Sequence, residues 1–328
     1  MLKKLNDKEY SLGTYFLPKI KNVAKKINEV IDFLNSSNYT SSGETLYASD
    51  YGVVADGTTD DTAAFNSFMA ACKAGQLKGE LPKGTVLLNS KPNNIDFPWD
   101  LGGKGINGTV IKRNYSQAGS TGCLNLVDNS SASKIHDMAI ESAAGTTGGS
   151  LISVVSSASF AVSGVILENL WLSTMGSDTH TNTIIFDGSA KTSAPNGVRD
   201  TSLQNVHVFG ATGVSVLMTS VSGFSWFGGG IYPAGGTSTL SGGVQITGTS
   251  SNKSTYVTMD LPTTGGLNLT YTEVCKLSIC SIGVISGVSI NNDTSCRTTQ
   301  VIGEPAGTVV GNWISSGIRR PGAAYSTT

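Results

Sequence analysis

The sequence predicts a mainly β protein, built as a solenoid of short stacked strands with helical segments near its N-terminus. Glycine accounts for 40 of the 328 residues, about 12 %, against about 7 % in average proteins. Charged residues make up only 14 %, against about 25 % in an average soluble domain. A helical bundle is excluded for most of the chain because glycine and β-branched residues are poor helix formers. The 39 % of hydrophobic residues suffices for a core and argues against disorder.

A six-residue pattern recurs along the chain: apolar, any, Asn/Asp/Gly, apolar, any, apolar. A bend between two short strands needs a residue that tolerates left-handed backbone, and Asn, Asp and Gly do so most readily. An antiparallel sandwich also has short, regularly spaced strands, but would not require these residues at one phase of the repeat. The pattern therefore favours a β-solenoid. It occurs at 135–140, 167–172, 203–208, 221–226 and 285–290, with further short strands before it at 152–155, 184–186, 214–217 and 274–279.

The segment 18–34 has the clearest helical signal, with Pro18 in its predicted first turn. Its apolar residues follow a heptad spacing and form a seam of Ile20, Val23, Ile27, Val30 and Leu34. Such a short helix is marginal alone in water and needs partners. Isoleucine and valine at the seam favour three strands over a parallel dimer, so we expect a homotrimer. The alternative is an amphipathic helix packed on its own domain.

The charge distribution separates the N-terminal segment from the rest of the chain. Residues 1–35 contain seven lysines and four acids, a net charge of +3, which leaves 15 basic and 19 acidic residues, a net of −4, elsewhere. A polar linker follows at 35–45. We therefore predict an N-terminal anchor and trimerisation segment at 1–45, a β-solenoid at 46–300 and a C-terminal extension at 301–328.

A second helix is predicted from about Asp60 to Ala74, capped by Thr59 or Asp60 and ended by Gly75. Its apolar face comprises Phe65, Phe68, Met69 and Cys72. The following segment, 80–89, is typical of a turn that leads into a buried strand. The five cysteines (72, 123, 275, 280 and 296) lack zinc-ligand spacing and are interpreted as buried thiols, with a catalytic cysteine as the alternative.

The segments YGVVADGTTDDTAAF (51–65) and LPKGTVLL (81–88) resemble the opening of the pectate-lyase-like superfamily, and more closely its bacteriophage tailspikes and tail fibres. The resemblance covers residues 48–300 and implies a right-handed parallel β-helix. It also implies a structural role at the entry turn and cap for Asp56, Gly57, Thr59, Asp60 and Asp61. The superfamily includes lyases, hydrolases and non-catalytic fibres, so the fold alone does not assign an activity.

The resemblance implies a trimeric virion fibre or tailspike whose N-terminus docks to other phage structural proteins. Such a protein is assembled in the host cytoplasm, which agrees with a first segment that lacks the apolar stretch of a signal peptide. No apolar run is long enough to span a membrane, and a net charge of −1 gives no argument for nucleic acid. No metal or cofactor motif occurs, so we expect none.

Candidate binding residues follow from aligning the repeats. One outward row contains His136, Glu168, Gln204, Ser222 and Ser286, and the next contains Ala139, Trp171, His207, Ser225 and Ser289. We expect Glu168, Trp171, Gln204 and His207 to lie close together and to bind a glycan, with a sugar ring on the indole. Alternatively, Trp171 packs against a neighbouring subunit. His207 is interpreted as a solvated histidine rather than a general base.

Polysaccharide cleavage is the competing function. Glycoside hydrolysis needs two carboxyl groups about 5–10 Å apart. The sequence offers Glu141, Glu168, Asp178, Asp187 and Asp200, with a further acid and histidine in the loop 177–181, but shows no converging pair. Lyase chemistry is less favoured because residues 114–252 contain only Lys134, Lys191 and Arg199 as basic residues. Non-catalytic attachment to a host surface polysaccharide is therefore preferred over a depolymerase.

Overall fold

The computed structural model describes residues 44–319 except 118, 120, 175–181, 192–196, 211–213, 233–242, 265–266, 283–287, 293–299, 306–307 and 312–317. Side chains are described up to residue 278, with a gap at 262–266. From Thr45 onward the described residues belong to one compact unit. The predicted seam of Ile20, Val23, Ile27, Val30 and Leu34 lies outside the described residues.

The described chain contains one α-helix, α1 (Thr62–Gly75), one 3-10 helix (Ala48–Tyr51) and strands that form three sheets. Sheet A contains β1 (Thr45–Tyr47), β2 (Asp56–Asp60), β3 (Lys78–Glu80), β4 (Gly84–Leu88), β5 (Asp100–Gly102), β6 (Thr109–Arg113), β8 (Lys134–Ser142), β11 (Ile166–Ser173), β14 (Ser202–Phe209), β17 (Ser225–Tyr232), β20 (Thr258–Thr264), β23 (Lys276–Ile282), β25 (Gln300–Pro305) and β27 (Ile318–Arg319). Sheet B contains β7 (Gly122–Val127), β9 (Ser150–Val155), β12 (Ile184–Asp187), β15 (Val214–Thr219), β18 (Gly243–Thr247), β21 (Leu267–Leu269), β24 (Val288–Asn292) and β26 (Thr308–Gly311). Sheet C contains β10 (Val162–Ser163), β13 (Val198–Arg199), β16 (Val221–Ser222), β19 (Ser254–Thr255) and β22 (Thr272–Glu273).

The strands pair in parallel in all three sheets. From β10 to β24 the chain visits sheet C, sheet A and sheet B in turn, and each strand pairs with the corresponding strand of the next turn of chain. The protein is therefore mainly β with parallel sheets, and this topology fits a parallel β-helix, in which each coil contacts its neighbours in the stack. The pairing continues beyond residue 300 through β25, β26 and β27.

A column of inward side chains shows how the repeat builds the core. The register aligns buried residues from successive strands of sheet A: Ile135, Leu167, Leu203, Trp226, Met259 and Leu277, each at most 1 % exposed. Alternate side chains point outward, as expected for strands. The apolar phase of the predicted repeat is thus the phase that faces the interior.

Four strands of sheet A, β8, β11, β14 and β17, bend at a left-handed residue, which in the first three is the predicted polar position. Asp137, Asn169 and Asn205 have φ of 57°, 50° and 52°, and Gly228 has a φ of 71° at the equivalent place in β17. These left-handed residues divide each strand into a first and a second leg. Two earlier strands match the division, since β5 pairs with the first leg of β8 and β6 pairs with its second leg.

Two of the five aligned segments are wrong. Segment 221–226 does not align with 203–208, because Leu203 pairs with Trp226 and Val221 pairs with Val198 in sheet C. Segment 285–290 is also misassigned, since its described part belongs to β24 of sheet B. Segment 274–279 is misassigned as well, because it enters sheet A as β23. The cause is a second left-handed bend in each coil, between sheets C and A, where Gly223 has a φ of 66°.

Helix α1 packs on the first coils through Phe65, Phe68, Met69 and Cys72, all at most 3 % exposed, as predicted. It begins at Thr62, after an N-cap residue, Asp61, so neither Thr59 nor Asp60 is the N-cap. Its last residue is Gly75, and the left-handed residue that ends it is Gln76.

The acidic entry segment is held by backbone hydrogen bonds. The buried carboxylate of Asp61 accepts bonds from the N–H groups of Val54 (2.7 Å), Ala55 (3.1 Å) and Leu87 (3.3 Å). The carboxylate of Asp56 accepts bonds from the N–H groups of Thr58 and Thr59, which hold its pKa far below the usual range. Asp60 accepts from the backbone and hydroxyl of Thr62. Gly57, with φ of 76°, is left-handed. These hydrogen bonds connect the entry segment to β4, to the start of α1 and to its own backbone.

The cysteines whose side chains are described, Cys72, Cys123 and Cys275, are all buried. Burial raises the pKa of the Cys72 and Cys123 thiols to about 11, so both are protonated and unreactive at neutral pH. In the described part of the chain, no helix has both the length and the apolar character needed to cross a membrane.

Candidate functional site

A stack of aromatic rings lies on the outward face of the second legs of sheet A. Trp171 and Phe209 are stacked with centroids 4.0 Å apart, and Phe209 and Tyr232 are stacked at 4.6 Å. His207 stacks beside them, 5.7 Å from Trp171 and 6.0 Å from Tyr232. All four side chains are half-buried. These residues are called the aromatic ladder below.

At Trp171 the stack of aromatic rings stops. Register places Ala139 of β8 beside Trp171, and a methyl group stands where another ring would continue the stack. Within the described chain, the rings that stack on Trp171 all come from β14, on the other side. Beyond Ala139, the next coil contributes Val110 of β6. Ala139 is itself only 2 % exposed, so the side chains around it cover its methyl group. The indole face directed towards β8 therefore borders a small side chain instead of a ring, and this place is called the ladder gap below.

Polar groups flank the ladder gap. Glu141 lies two residues after Ala139 on the same face of β8, where it is paired in register with Ser173 on one side and Lys112 on the other. All three side chains are half-buried. Among the described residues neither Glu141 nor Lys112 forms an ion pair, so their charged groups remain available to a ligand.

The structure brings together only part of the predicted binding set. Trp171 and His207 are neighbours in the ladder, and Glu168 pairs in register with Gln204. The left-handed bend separates these two pairs, because Glu168 and Gln204 belong to the first legs. The Glu168 carboxylate forms an ion pair with Lys134 at 2.6 Å, and Gln204 is exposed. In the next coil the position expected for Ser222 is occupied by Phe227, which is 49 % exposed.

The bends themselves form a chain of side-chain hydrogen bonds, called the amide ladder below. The Nδ2 group of Asn169 donates to Oδ1 of Asp137 at 2.9 Å. Nδ2 of Asn205 donates to Oδ1 of Asn169 at 3.0 Å. Nε2 of His207 lies 3.1 Å from Oδ1 of Asn205, which it can reach only as a donor. The amide ladder thus extends to one ring of the aromatic ladder.

A charged cluster lies at the other end of the amide ladder. His136 has Nδ1 2.7 Å from Asp137 and Nε2 3.0 Å from Asp100, whose second oxygen pairs with Lys78 at 3.0 Å. The hydrogen bond with Asp100 raises the pKa of His136, and in return His136 lowers the pKa of Asp100 to about 2. Burial raises the pKa of Asp137, but hydrogen bonds from His136 and Asn169 outweigh it and the net shift is downward. Both carboxylates are therefore ionised at neutral pH.

The acids considered for hydrolysis do not converge within the described residues. Glu141 and Glu168 lie on different legs of sheet A, Asp187 ends β12 in sheet B, and Asp200 lies at the bend between sheets C and A. Asp178 is outside the described residues. In the described part of the chain, no group of three or more His, Cys, Asp or Glu side chains has an arrangement that could hold a metal ion. Burial lowers the pKa of His207, so this ring is neutral at physiological pH.

Sequence reasoning missed two rings and one acid. Phe209 and Tyr232 lie outside the six-residue pattern, although Phe209 follows His207 by two residues and must share its face. Asp100 belongs to a coil that precedes the recognised repeats, so the pattern could not align it with His136.

No family model matches the chain, and no curated protein sequence matches it. Similar solved structures include Geobacillus virus E2 ORF18, at 14 % identity and a TM-score of 0.45, covering 95 % of this chain and 64 % of that chain. The Azotobacter vinelandii mannuronan C-5 epimerase AlgE4 A-module is 13 % identical with a TM-score of 0.41, covering 84 % of this chain and 91 % of the other. The Agl-KA catalytic domain is 14 % identical with a TM-score of 0.36, covering 79 % and 59 %. The chain spans less than two thirds of the first and third structures. Similarity this low assigns no function, and the fold rests on the strand pairing of the chain itself.

Proposed function

We propose that this protein binds a saccharide of a host cell surface at the ladder gap and serves a bacteriophage particle as an attachment fibre or tailspike. The observation that carries the binding proposal is the indole face of Trp171, which borders Ala139 instead of another ring. The resemblance of segments 51–65 and 81–88 to phage tailspikes supports the biological setting.

The gap suits a sugar ring for geometric reasons. Adjacent parallel strands are about 4.8 Å apart, so Val110 and Trp171, two strands apart, are separated by about 9.6 Å at the backbone. A pyranose beside the indole would take the place that an aromatic ring takes elsewhere in the ladder, and it would displace the side chains that now cover Ala139. Its C–H face would cover the indole, and its hydroxyl groups would reach Glu141 and Ser173. Within the stack, Phe209 has a ring on both sides, Trp171 and Tyr232.

Binding without cleavage is the function that the described acids support. A glycosidase needs a protonated carboxylic acid opposite a second carboxylate. The two carboxylates that contact His136, those of Asp100 and Asp137, are both held ionised by it. Near the ladder gap, Glu141 has no second carboxylate in register with it, since its partners are Lys112 and Ser173.

Assembly and anchoring complete the proposal. A homotrimer held partly by the seam at residues 20–34 would place several ladder gaps on one particle and raise the avidity for a repetitive polysaccharide. The shift of net charge from +3 in residues 1–35 to −4 in the remainder supports a separate anchoring role for the N-terminal segment, against other structural proteins of the virion.

The test compares two aromatic substitutions on sheet A. Trp171→Ala should weaken binding of the purified protein to an array of bacterial surface polysaccharides by about 1–3 kcal/mol, roughly 5- to 150-fold in Kd. Phe227→Ala removes an exposed aromatic ring from a first leg and should leave affinity unchanged. Light scattering of both variants checks their assembly.

Three outcomes would contradict the proposal. Unchanged affinity of the Trp171 variant would exclude the ladder gap, and an equal loss in both variants would indicate a diffuse effect. Dissociation of the Trp171 oligomer with unchanged affinity per folded chain would make Trp171 an interface residue. A reducing-end assay on the bound polysaccharide tests the depolymerase alternative, which would be supported if activity were measurable and lost in Glu168→Gln or Glu141→Gln.

A further inference from the structure

A second cleft lies away from sheet A's second legs, between helix α1 and the end of β7. Its volume is about 460 Å³, within the range of about 300–1,000 Å³ that is usual for small-molecule sites. One wall is formed by the outward side of α1, including Asn66, Ala70 and Lys73. The facing wall is formed by the loop that contains Asn93, Asn94, Asp96 and Phe97. We propose that this cleft binds one unit of a neutral saccharide, independently of the ladder gap.

The walls of the cleft are fixed by contacts that leave its interior open. Ile95 forms a parallel bridge with Leu126, which ties the loop to β7. Nζ of Lys73 bonds both carboxylate oxygens of Asp96 at 2.7 Å, which joins the loop to the helix. The N–H group of Asn93 donates to Oδ1 of Asn66 at 2.8 Å. A site held by three separate contacts is preorganised for a ligand.

The polar groups that remain point to a hydroxyl-rich ligand. Within the described chain, Nδ2 of Asn66, the side-chain amide of Asn93, Nδ2 of Asn94 and the carboxylate of Asp128 have no hydrogen-bond partner. These groups supply both donors and acceptors, which match sugar hydroxyls because each hydroxyl donates and accepts. Buried Met69 and Phe97 provide an apolar floor for the C–H groups of the ring.

The charges of the cleft exclude an anionic ligand. Lys73 and Asp96 neutralise each other, and Asp128 then leaves a net negative charge. A phosphate or uronate would meet this carboxylate without a free cation among the residues that line the cleft. A neutral hexose or N-acetylhexosamine meets no such repulsion, and its hydroxyls can donate to Asp128.

The experiment is saturation-transfer NMR on the full chain with glucose, galactose, mannose and N-acetylglucosamine at millimolar concentrations. Ala70→Trp places an indole in the cleft from an exposed helical position and should reduce the transfer signal of the bound sugar at least tenfold. Ala74→Trp, one turn further along α1 and also exposed, is the matched control and should preserve the signal. Asn93→Ala provides a second test should the Ala70 variant fold poorly, since the side chain of Asn93 makes no contact that holds the fold; it should weaken the signal.

The proposal is overturned if none of the four sugars gives a transfer signal, or if the signal survives both Ala70→Trp and Asn93→Ala. It is also overturned if the Ala74 control loses the signal equally. Trp171→Ala should retain the cleft signal. If Trp171→Ala loses polysaccharide binding but keeps the cleft signal, the protein has two sites. If the native protein gives the cleft signal but binds no polysaccharide, the ladder gap is contradicted and the cleft is not.

Discussion

Replacement of Asn169 tests whether the bends of sheet A require both a left-handed residue and a side-chain amide. Asn169→Ala removes two hydrogen bonds of the amide ladder, to Asp137 and Asn205. Each bond contributes about 0.5–1.5 kcal/mol when buried. Because Asn169 is half-buried and Asn205 is exposed, we expect about 1–2 kcal/mol for the two together. Alanine at a φ of 50° adds about 1–2 kcal/mol of backbone strain.

Glycine separates the two contributions. Asn169→Gly loses the same hydrogen bonds and avoids the strain, although glycine loses about 0.5–1 kcal/mol more conformational entropy on folding than alanine. The glycine variant should therefore be the more stable of the two by up to about 1.5 kcal/mol. Gln204 is the matched control: it is exposed, outside the left-handed positions and one coil away, and there alanine should be more stable than glycine.

The assay is equilibrium urea unfolding followed by circular dichroism and tryptophan fluorescence, with the four variants compared at one protein concentration. The expected result is an inverted order of alanine and glycine between positions 169 and 204. Alanine as stable as glycine at position 169 would refute the argument that left-handed backbone selects the residue at this bend.

Three further predictions concern the charged cluster and the N-terminal segment. The pKa of His136 is raised in the folded protein. Protonated His136 therefore stabilises the fold below its unfolded-state pKa of about 6.5, and this stabilisation is lost as the pH rises through the raised value. The pKa of Asp100 is lowered, so its carboxylate stabilises the fold above about pH 3.8, and this stabilisation is lost as the pH falls towards about 2. Urea midpoints should therefore fall from pH 6 to pH 9, and His136→Gln should reduce that change; an unaltered pH dependence would contradict it. Ile27→Asp should shift the oligomer towards monomer in light scattering by burying a charge at the seam, whereas a native chain that is already monomeric would exclude the trimer. A chain beginning at Leu46 should keep its β-rich circular dichroism spectrum and fail to join the phage particle; normal incorporation would place the anchor elsewhere.

The sequence pattern predicted the bends of sheet A where backbone conformation restricts the residue type. Asp137, Asn169 and Asn205 could be recognised because few side chains tolerate left-handed backbone. The same property misled the alignment at Gly223, since each coil has a second left-handed bend and glycine is suited to both. The pattern identifies a residue that can adopt left-handed backbone, but it does not distinguish the bend within a strand of sheet A from the bend between sheets C and A.

The candidate site was only partly predictable for a different reason. Trp171 and His207 fall at equivalent outward positions, so alternation along the strands was enough to bring them together. The end of the ladder at Trp171 depends on a small residue, Ala139, and on its register with Trp171. An alanine cannot be recognised as a site residue from its side chain, because a methyl group offers no functional group. Its role follows only from the large ring on the strand beside it.

The hydrogen bonds of the amide ladder all run in one direction, because the carboxylate of Asp137 at its end has no proton to donate. An ionised carboxylate only accepts hydrogen bonds, so Asp137 compels Asn169 to present its NH₂ group and its carbonyl to opposite neighbours. Asn169 then imposes the same orientation on Asn205, whose carbonyl oxygen in turn selects the tautomer of His207 that is protonated at Nε2. The dipoles of the chain are aligned and polarise one another. One negative charge beside His136 thereby determines where a proton resides on a ring two coils along the stack.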